Sequence, residues 1–360
     1  MVPPSEHRRG RSGAGAAILA VIARAAFAGF FAVTAAITAP AADQADPTYV
    51  LSGTLVLGGT GACTGIACDV QRQRLYISRT DHVQILATAG MPLGAITVGS
   101  DLRAPVLVGN RAFFANGADP LQVVSTAPFK NLGGITLPGP AGNAVSDPGG
   151  MVYAALPDAH ALVPFVPNLA PSARPGPAIA LGGVPTGLCA DGHGHVFAII
   201  DDQDSIAVVA TATATVTAML PIHGHHPVSL TCDPTDPTNT ELFVACADRH
   251  LLFVDGVTGA IRGDLPLAGT PGDCVWSGGA VLVISPAGSL TVARPVGPGG
   301  YAVAQTLTIP RGASHLAVDG LGVVFVPSEL YPDTGDTAHP VANGFRLLMI
   351  SRLPQLAGSP

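Results

Sequence analysis

The chain has 360 residues, of which only 11% are charged and 5% aromatic, and its 17 Lys and Arg against 24 Asp and Glu give a net charge of −7. Proteins that bind nucleic-acid phosphates normally carry a basic patch or stripe, so this balance argues against nucleic acid as a partner. The 44 glycines and 33 prolines favour strands and tight turns over long helices.

The first 41 residues predict a secretory signal peptide. Arg8, Arg9 and Arg11 precede an apolar stretch at 14–39, and Ala39 and Ala41 form a small-residue cleavage site of the A-x-A kind. Arg24 interrupts the apolar stretch and leaves a run that is short for a membrane span. We therefore expect cleavage after Ala41, a periplasmic or extracellular location and no stable membrane span, with an uncleaved anchor as the alternative.

The exported part, 42–360, is expected to be a single domain. Removing residues 1–41 takes away four arginines and one glutamate, which leaves 13 basic and 23 acidic residues and a net charge of −10. Such an acidic surface again fits a protein that does not bind nucleic acid, and we expect a monomer.

A cassette of about 40 residues, made of four short apolar runs separated by turn residues, recurs seven times in this domain. Aligning the innermost run of each copy gives one column of equivalent positions: Gly65, Pro105, Asn143, Gly187, Ser229, Asp273 and His315. Four antiparallel strands repeated at this period predict an all-β, seven-bladed β-propeller with blades beginning near residues 64, 104, 142, 186, 228, 272 and 314.

Only six of the seven cassettes contain their own fourth strand. The segment 51–57, LeuSerGlyThrLeuValLeu, has the pattern of an outer strand but lies before the first cassette. We predict that it pairs with 347–350 and completes the last blade, which closes the ring and removes free sheet edges. A β-sandwich would not explain the sevenfold repeat, and no amphipathic helical stretch supports an α/β fold.

Six cysteines are present, and none belongs to a CxxC pair or a haem-attachment motif. Disulfides are possible in an oxidising compartment, whereas cysteine within a strand also serves as a small buried apolar residue. Cys189 and Cys232 lie on inner strands of adjacent blades with opposite side-chain parity, so a bridge between them is one of the two readings.

The cassette resembles the repeats of the YVTN and NHL group of propellers. The resemblance is carried by a Gly-x-Ala near the inner strand, an Asp in the following hairpin, and then LeuTyrIleSer at 75–78, with the best copies at 64–98, 186–220 and 228–265. It covers 49–352 and implies the fold. The group includes surface proteins, binding scaffolds and a few enzymes, so the resemblance implies no single function.

Function in such a ring is sought on the face where the loops into the inner strands meet the loops from second to third strands. We call this the loop face. Equivalent positions of blades five, six and seven place Ser229, Asp273 and His315 at the channel, and Arg311 and Glu329 lie in loops beside them. These five are the predicted ligand-binding residues. A Ser-His-Asp triad is the less favoured reading, because no GxSxG elbow is present and a polar channel lining explains the same residues.

His223, His225 and His226 form the densest candidate for a divalent metal site. In an extended chain the imidazoles of His223 and His225 point the same way, and Asp202 or Asp273 of a neighbouring blade would complete the site. The alternative, an exposed His-rich turn, is favoured because only two or three ligands are local. No cofactor is predicted beyond this possible metal.

Glu329 lies in the longest loop, 328–344. Two interpretations of this loop are equally supported: a functional lid, and a slack connection that ring closure requires. The sequence therefore favours an exported binding or scaffold propeller that presents its loop face to a protein, glycan or small-molecule ligand. The alternative is a metal-assisted lyase, lactonase or other hydrolase in which His223, His225, His226 and His315 bind the metal or move protons.

Overall fold

The computed structural model describes residues 48–353 apart from 60–61, 101, 118–119, 171–173, 236–239, 298–299 and 333–339. These residues form seven four-stranded antiparallel sheets arranged as the blades of a ring, which confirms the predicted fold class. The described part contains no α-helix, only a 3-10 turn at Asp201–Gln203, and therefore no helix long and apolar enough to span a membrane. The predicted signal peptide lies outside the described residues.

In blades one to six the chain runs outward from the channel through all four strands, whereas blade seven takes its outer strand from the beginning of the described chain. The inner strands are Cys63–Asp69, Val106–Val108, Asn143–Ser146, Pro185–Ala190, Pro227–Cys232, Cys274–Ser277 and Ala317–Val318. The second strands are Arg74–Arg79, Arg111–Phe114, Val152–Leu156, His195–Ile200, Glu241–Cys246, Ala280–Ser285 and Val324–Ser328.

The third strands are Val83–Ala87, Leu121–Thr126, Ala161–Phe165, Ser205–Ala210, His250–Asp255, Ser289–Gly297 and Arg346–Arg352. The outer strands of blades one to six are Pro92–Ile96, Phe129–Ile135, Ile179–Ala180, Thr215–Pro221, Ile261–Pro266 and Gly300–Thr308, and Tyr49–Val56 is that of blade seven.

The burial of each strand follows from its position in the blade. Second strands such as Ala280–Ser285 are buried at every residue, because both faces of the sheet are covered by neighbouring blades. Outer strands such as Thr215–Pro221 alternate between exposed and covered side chains, as expected for a strand at the rim. The β-branched and aromatic runs of the sequence thus become the middle of each blade.

The hydrophobic core consists of seven seams, one between each pair of adjacent blades. Blades four and five share one cluster of buried apolar side chains, blades six and seven share another, and blades seven and one share a third. The other four interfaces have their own clusters. Each blade is therefore held by two neighbours, and no blade has a core of its own.

Blade seven is built from both ends of the described chain. Tyr49–Val56 pairs antiparallel with Arg346–Arg352, with Leu51 opposite Ile350 and Leu55 opposite Leu347. The predicted closure is thereby confirmed. Gln305 of blade six strengthens it: the Tyr49 amide donates to Gln305 Oε1 at 2.8 Å, and Gln305 Nε2 donates to the Tyr49 carbonyl at 2.8 Å.

The recurrent Asp of the cassette serves the hairpin between the first and second strands. Asp191 Oδ1 accepts hydrogen bonds from the backbone amides of His193 at 2.8 Å and His195 at 2.9 Å. Asp319 accepts in the same way from the amides of Leu321 and Val323, both at 2.9 Å. The acid that helps to define the repeat therefore fixes turn geometry.

We expect removal of the closing strand to destabilise the ring. Deleting 49–56 exposes the third strand of blade seven, so the melting temperature should fall by roughly 10 °C or more. The milder variant Gln305→Ala removes two hydrogen bonds and should cost about 2 kcal/mol in denaturant unfolding. Gln71→Ala, at an exposed Gln without such bonds, is the control. A deletion variant that melts like the parent would contradict the closure.

Asp191 should make the stability of blade four sensitive to acid. Burial alone would raise the pKa of Asp191, but the amides of His193 and His195 and the His195 imidazole outweigh it and hold the pKa below its usual value. The stabilisation is thus present above the unfolded-state pKa and is lost as the pH falls through the lower folded-state pKa.

The test is denaturant unfolding of the parent and Asp191→Asn at about pH 7 and at about pH 3. The variant should lose about 2 kcal/mol at neutral pH and depend less on pH than the parent does. Asp158→Asn, at an exposed Asp, should behave as the parent. Parallel pH curves for parent and Asp191→Asn would show that this carboxylate does not carry the acid sensitivity.

Candidate functional site

A pocket opens on the loop face where six inner strands begin. Its volume is about 370 Å³. Blades one, two, three, four, six and seven supply its lining residues: Thr64, Arg103, Ala104, Gly142, Asn143, Pro157, Pro185, Thr186, Asp273 and His315. We call it the channel-mouth pocket. Residues at equivalent positions of different blades meet here because each inner strand starts at the same level of the ring.

The pocket rim is held by hydrogen bonds between blades. The Thr64 hydroxyl donates to the Leu102 carbonyl, and Ser78 Oγ donates to the carbonyl of Arg103 at 2.9 Å. The Asn143 side-chain amide donates to the Thr186 carbonyl at 3.3 Å. These bonds fix the backbone of blades one to four around the opening.

Two of the predicted residues, His315 and Asp273, form a pair in this pocket. His315 Nδ1 lies 2.9 Å from Asp273 Oδ2 across the boundary of blades six and seven. The backbone amide of Asp273 also donates to the Ser314 carbonyl at 3.0 Å. The carboxylate therefore orients the imidazole and leaves His315 Nε2 without a hydrogen bond to any described residue.

Arg103 supplies the cationic group of the pocket. Its backbone is fixed by the bond from Ser78 and by its own amide, which donates to the Ala115 carbonyl at 2.7 Å. The side chain is exposed and makes no hydrogen bond or ion pair with any residue that the structure describes. A guanidinium in this state retains five donors for a ligand.

The third residue of the channel column, Ser229, is engaged elsewhere. Its hydroxyl oxygen accepts a hydrogen bond from the Cys274 amide at 3.0 Å, and the Cys274 thiol lies 3.4 Å from the same atom. Ser229 does not line the channel-mouth pocket. The structure thus brings Asp273 and His315 together but does not join Ser229 to them by hydrogen bonds.

Arg311 lines a second hollow on the loop face, between blades six and seven, and Glu329 lies next to it. This hollow has a volume of about 430 Å³ and is lined by Pro286, Ala287, Arg311, Gly312 and Tyr331. The Tyr331 hydroxyl donates to Glu329 Oε2 at 3.0 Å. Burial, followed by this bond to a carboxylate, raises the pKa of Tyr331. Residues 333–339 of the long loop lie outside the described part.

The histidines of the predicted metal site pair with different carboxylates. His225 Nδ1 lies 2.8 Å from Asp248 Oδ2, and His226 Nδ1 lies 3.0 Å from Asp204 Oδ1. The remaining candidate, His223, belongs to the same turn and has no such partner among the described residues. Within those residues, no three His, Cys, Asp or Glu side chains are grouped as metal ligands would be.

The carboxylates proposed to complete that metal site are also occupied. Asp202 Oδ1 accepts a hydrogen bond from the Val184 amide at 2.7 Å, and Asp273 is paired with His315. A neighbouring histidine, His250, lies with its ring centroid 5.6 Å from that of His225. Its hydrogen bond to Asp264 raises the pKa of His250. This part of the loop face therefore carries separate His-Asp pairs.

The predicted site omitted several residues that line the pocket, among them Thr64, Arg103, Asn143 and Thr186. A signal for them existed in the sequence. Asn143 is itself a member of the aligned column, and Thr64 and Thr186 directly precede column members in their blades. The prediction took its residues from three blades and favoured ionisable and nucleophilic types there, so it missed uncharged members of the column and Arg103, which lies two residues before the column member Pro105.

No family model matches the chain, and no curated protein matches it either. Solved structures match it in fold. A chain of a mitotic checkpoint complex gives a TM-score of 0.66 at 10% identity and covers 92% of this chain and 99% of its own. Streptogramin B lyase gives 0.64 at 10% identity, with 85% and 98% covered. Hydrazine synthase of Kuenenia stuttgartiensis gives 0.67 at 13% identity, with 86% and 100% covered.

These identities are too low to carry function from one protein to another. The similar structures include propeller proteins, and the likeness shows that the described chain shares their fold. Among proteins of one fold, function depends on the residues of the site and not on the fold itself.

Proposed function

We propose that this chain is an exported propeller of the YVTN and NHL kind that binds a small polar ligand carrying an anionic group. The observation that carries the proposal is the Arg103 guanidinium, an exposed cation without a partner among the described residues, in a pocket of about 370 Å³. Ligand pockets of proteins typically have volumes of this order. Export rests on the arginines, apolar stretch and A-x-A site of residues 1–41.

The chemistry of the lining supports an anionic, hydroxyl-bearing ligand. A guanidinium binds a carboxylate or phosphate through two parallel hydrogen bonds. The Thr186 hydroxyl is exposed and has no partner among the described residues, and His315 retains a free Nε2. These three groups offer donors and acceptors around one opening, which suits a sugar acid, a sugar phosphate or a small hydroxy acid.

The pocket favours a small molecule over a large partner as the primary ligand. It is a concave site enclosed by six blades. A protein or glycan partner would engage the wider loop face, including the hollow beside Arg311 and Tyr331. In that case the chain would act as a scaffold, and the channel-mouth pocket would take a terminal acidic group of the partner.

Replacing Arg103 should abolish most of the affinity. We expect at least one of citrate, glucuronate and glucose 6-phosphate to raise the melting temperature of the parent, whereas uncharged glucose should not. Arg103→Gln should weaken binding by roughly 30-fold in titration calorimetry, as expected for the loss of a charge-assisted pair. Arg311→Gln, on the same face but outside the pocket, should bind as the parent. Failure of all three anions, or equal binding by Arg103→Gln, would contradict the proposal.

The second candidate is an enzyme, and the His315-Asp273 pair is the observation that favours it. A carboxylate on Nδ1 holds the imidazole in the tautomer whose Nε2 accepts a proton, as a general base requires. With Arg103 neutralising a developing negative charge in the same pocket, this arrangement suits removal of a proton next to a carboxylate or activation of water. Lyase and lactonase reactions both use such a step.

The metal-assisted form of this enzyme would require existing hydrogen bonds to rearrange. A divalent ion held by His223, His225 and His226 would require the bonds of His225 to Asp248 and of His226 to Asp204 to open or to be shared with the ion. The proton-transfer form needs no such rearrangement, since the His315-Asp273 pair is already formed.

The enzyme candidate predicts a loss of turnover without a loss of binding. His315→Gln should lower the rate of lactone hydrolysis or of double-bond-forming cleavage by about 10²-fold to 10⁴-fold. Ligand affinity should change little, because the Gln amide keeps a hydrogen-bonding group at this position and Arg103 is unchanged. His225→Gln should leave the rate as in the parent, whereas a metal-assisted site would lose both rate and bound metal, measured by elemental analysis. Equal turnover by His315→Gln and the parent would reject His315 as the base.

A further inference from the structure

Two cysteines on neighbouring inner strands lie in the seam between blades four and five. Cys189 belongs to Pro185–Ala190 and Cys232 to Pro227–Cys232. Their exposed fractions are 8% and 5%, and both belong to the apolar cluster that joins the two blades. Both side chains therefore point into the same seam, as the opposite parity of the two positions predicted.

The alignment of the two strands places these residues side by side. A Cβ atom at Gly187 would lie 3.2 Å from Leu230 Cδ2, so residue 187 faces residue 230. Two residues further along each strand, Cys189 faces Cys232. Consistent with this, Cys232 Sγ donates to the carbonyl of Ala190, the residue after Cys189, at 3.3 Å.

The two thiols also lie close enough for one to affect the ionisation of the other. The neighbouring Cys232 thiol, together with burial, raises the pKa of Cys189 well above its usual value. Like Cys232, the thiols of Cys63 and Cys246 donate to backbone carbonyls: Cys63 to that of Gly65 at 3.4 Å and Cys246 to that of Val244 at 3.6 Å. Cys274 contacts Ser229 Oγ at 3.4 Å.

We propose that Cys189 and Cys232 are oxidised to a disulfide that ties blade four to blade five. A low-molecular-weight disulfide such as oxidised glutathione, or a dithiol oxidase, would take up the two electrons. One cysteine thiolate attacks the oxidant disulfide and releases one thiol; the second then attacks the mixed disulfide and releases the other. Two protons leave the protein, and one S–S bond forms as one is broken.

The bond has to form while the chain folds. In the closed ring both sulfur atoms are buried, and a thiol with a raised pKa is a poor nucleophile. This order of events suits a chain that folds after export into an oxidising compartment. The proposal does not depend on which ligand the loop face binds.

The test is refolding of the purified chain in a buffer of reduced and oxidised glutathione, with a parallel sample refolded in excess reductant. The oxidised sample should show four titratable thiols under denaturing conditions where the reduced sample shows six. Its mass should be lower by about 2 Da, and peptide mapping should link Cys189 to Cys232. Six free thiols after oxidative refolding, or a different linkage, would overturn the proposal.

Stability gives a second readout. A disulfide that closes a loop of about 43 residues should raise the melting temperature by about 5 °C relative to the reduced sample. Cys189→Ala should abolish this difference, whereas Cys246→Ala, in the same apolar cluster, should keep it. An equal difference in Cys189→Ala and the parent would also contradict the proposal, even if Cys189→Ala is less stable overall.

Discussion

The pairing of Tyr49–Val56 with Arg346–Arg352 is the interaction on which the ring depends. Every blade buries both faces of its sheet against neighbours, so a blade with a missing neighbour would expose an apolar face. Because the chain forms the blades in order, the row of blades becomes a closed ring when the first strand pairs with the last. Placing that pairing within blade seven makes the closure part of one hydrogen-bonded sheet, so the third strand of that blade is paired on both sides.

Closure also creates the candidate site. Six inner strands begin at the same level, so side chains that are distant in sequence meet at one opening. The apolar seams bear the stability, which leaves the loop face free to carry Arg103 and the His315-Asp273 pair. The hairpins between first and second strands, on the other face of the ring, have a structural role, because Asp191 and Asp319 accept hydrogen bonds from backbone amides there.

The fold was predictable because the sequence repeats with a period of about 40 residues. Seven copies of one cassette fix the number of blades, and the displaced outer strand at 51–57 follows from the missing seventh copy. Details that depend on local backbone geometry were not predictable. The pairing of Tyr49–Val56 shifts register between Leu51 and Gly53, for example, and nothing in the repeat marks that position.

The site was predictable only in part, for a physical reason. Equivalent positions in the repeat establish that Ser229, Asp273 and His315 are near the channel, but hydrogen bonds depend on side-chain direction. Asp273 reaches His315, whereas the Ser229 hydroxyl is taken by the backbone of Cys274. Similarly, three histidines in one turn suggest shared ligation, yet His225 and His226 reach carboxylates on different loops.

The shared blade has a consequence for the time course of folding. The closing strand is the first strand of the ring to be synthesised, but its partner follows about 290 residues later. At typical rates of translation this delay is about 15 to 60 s. During that interval the strand has unpaired backbone groups and exposed apolar side chains such as Tyr49 and Leu55, which the closed ring covers. A chain built this way gains from being kept unfolded until its last strand is complete, because no shorter piece of it can close the ring.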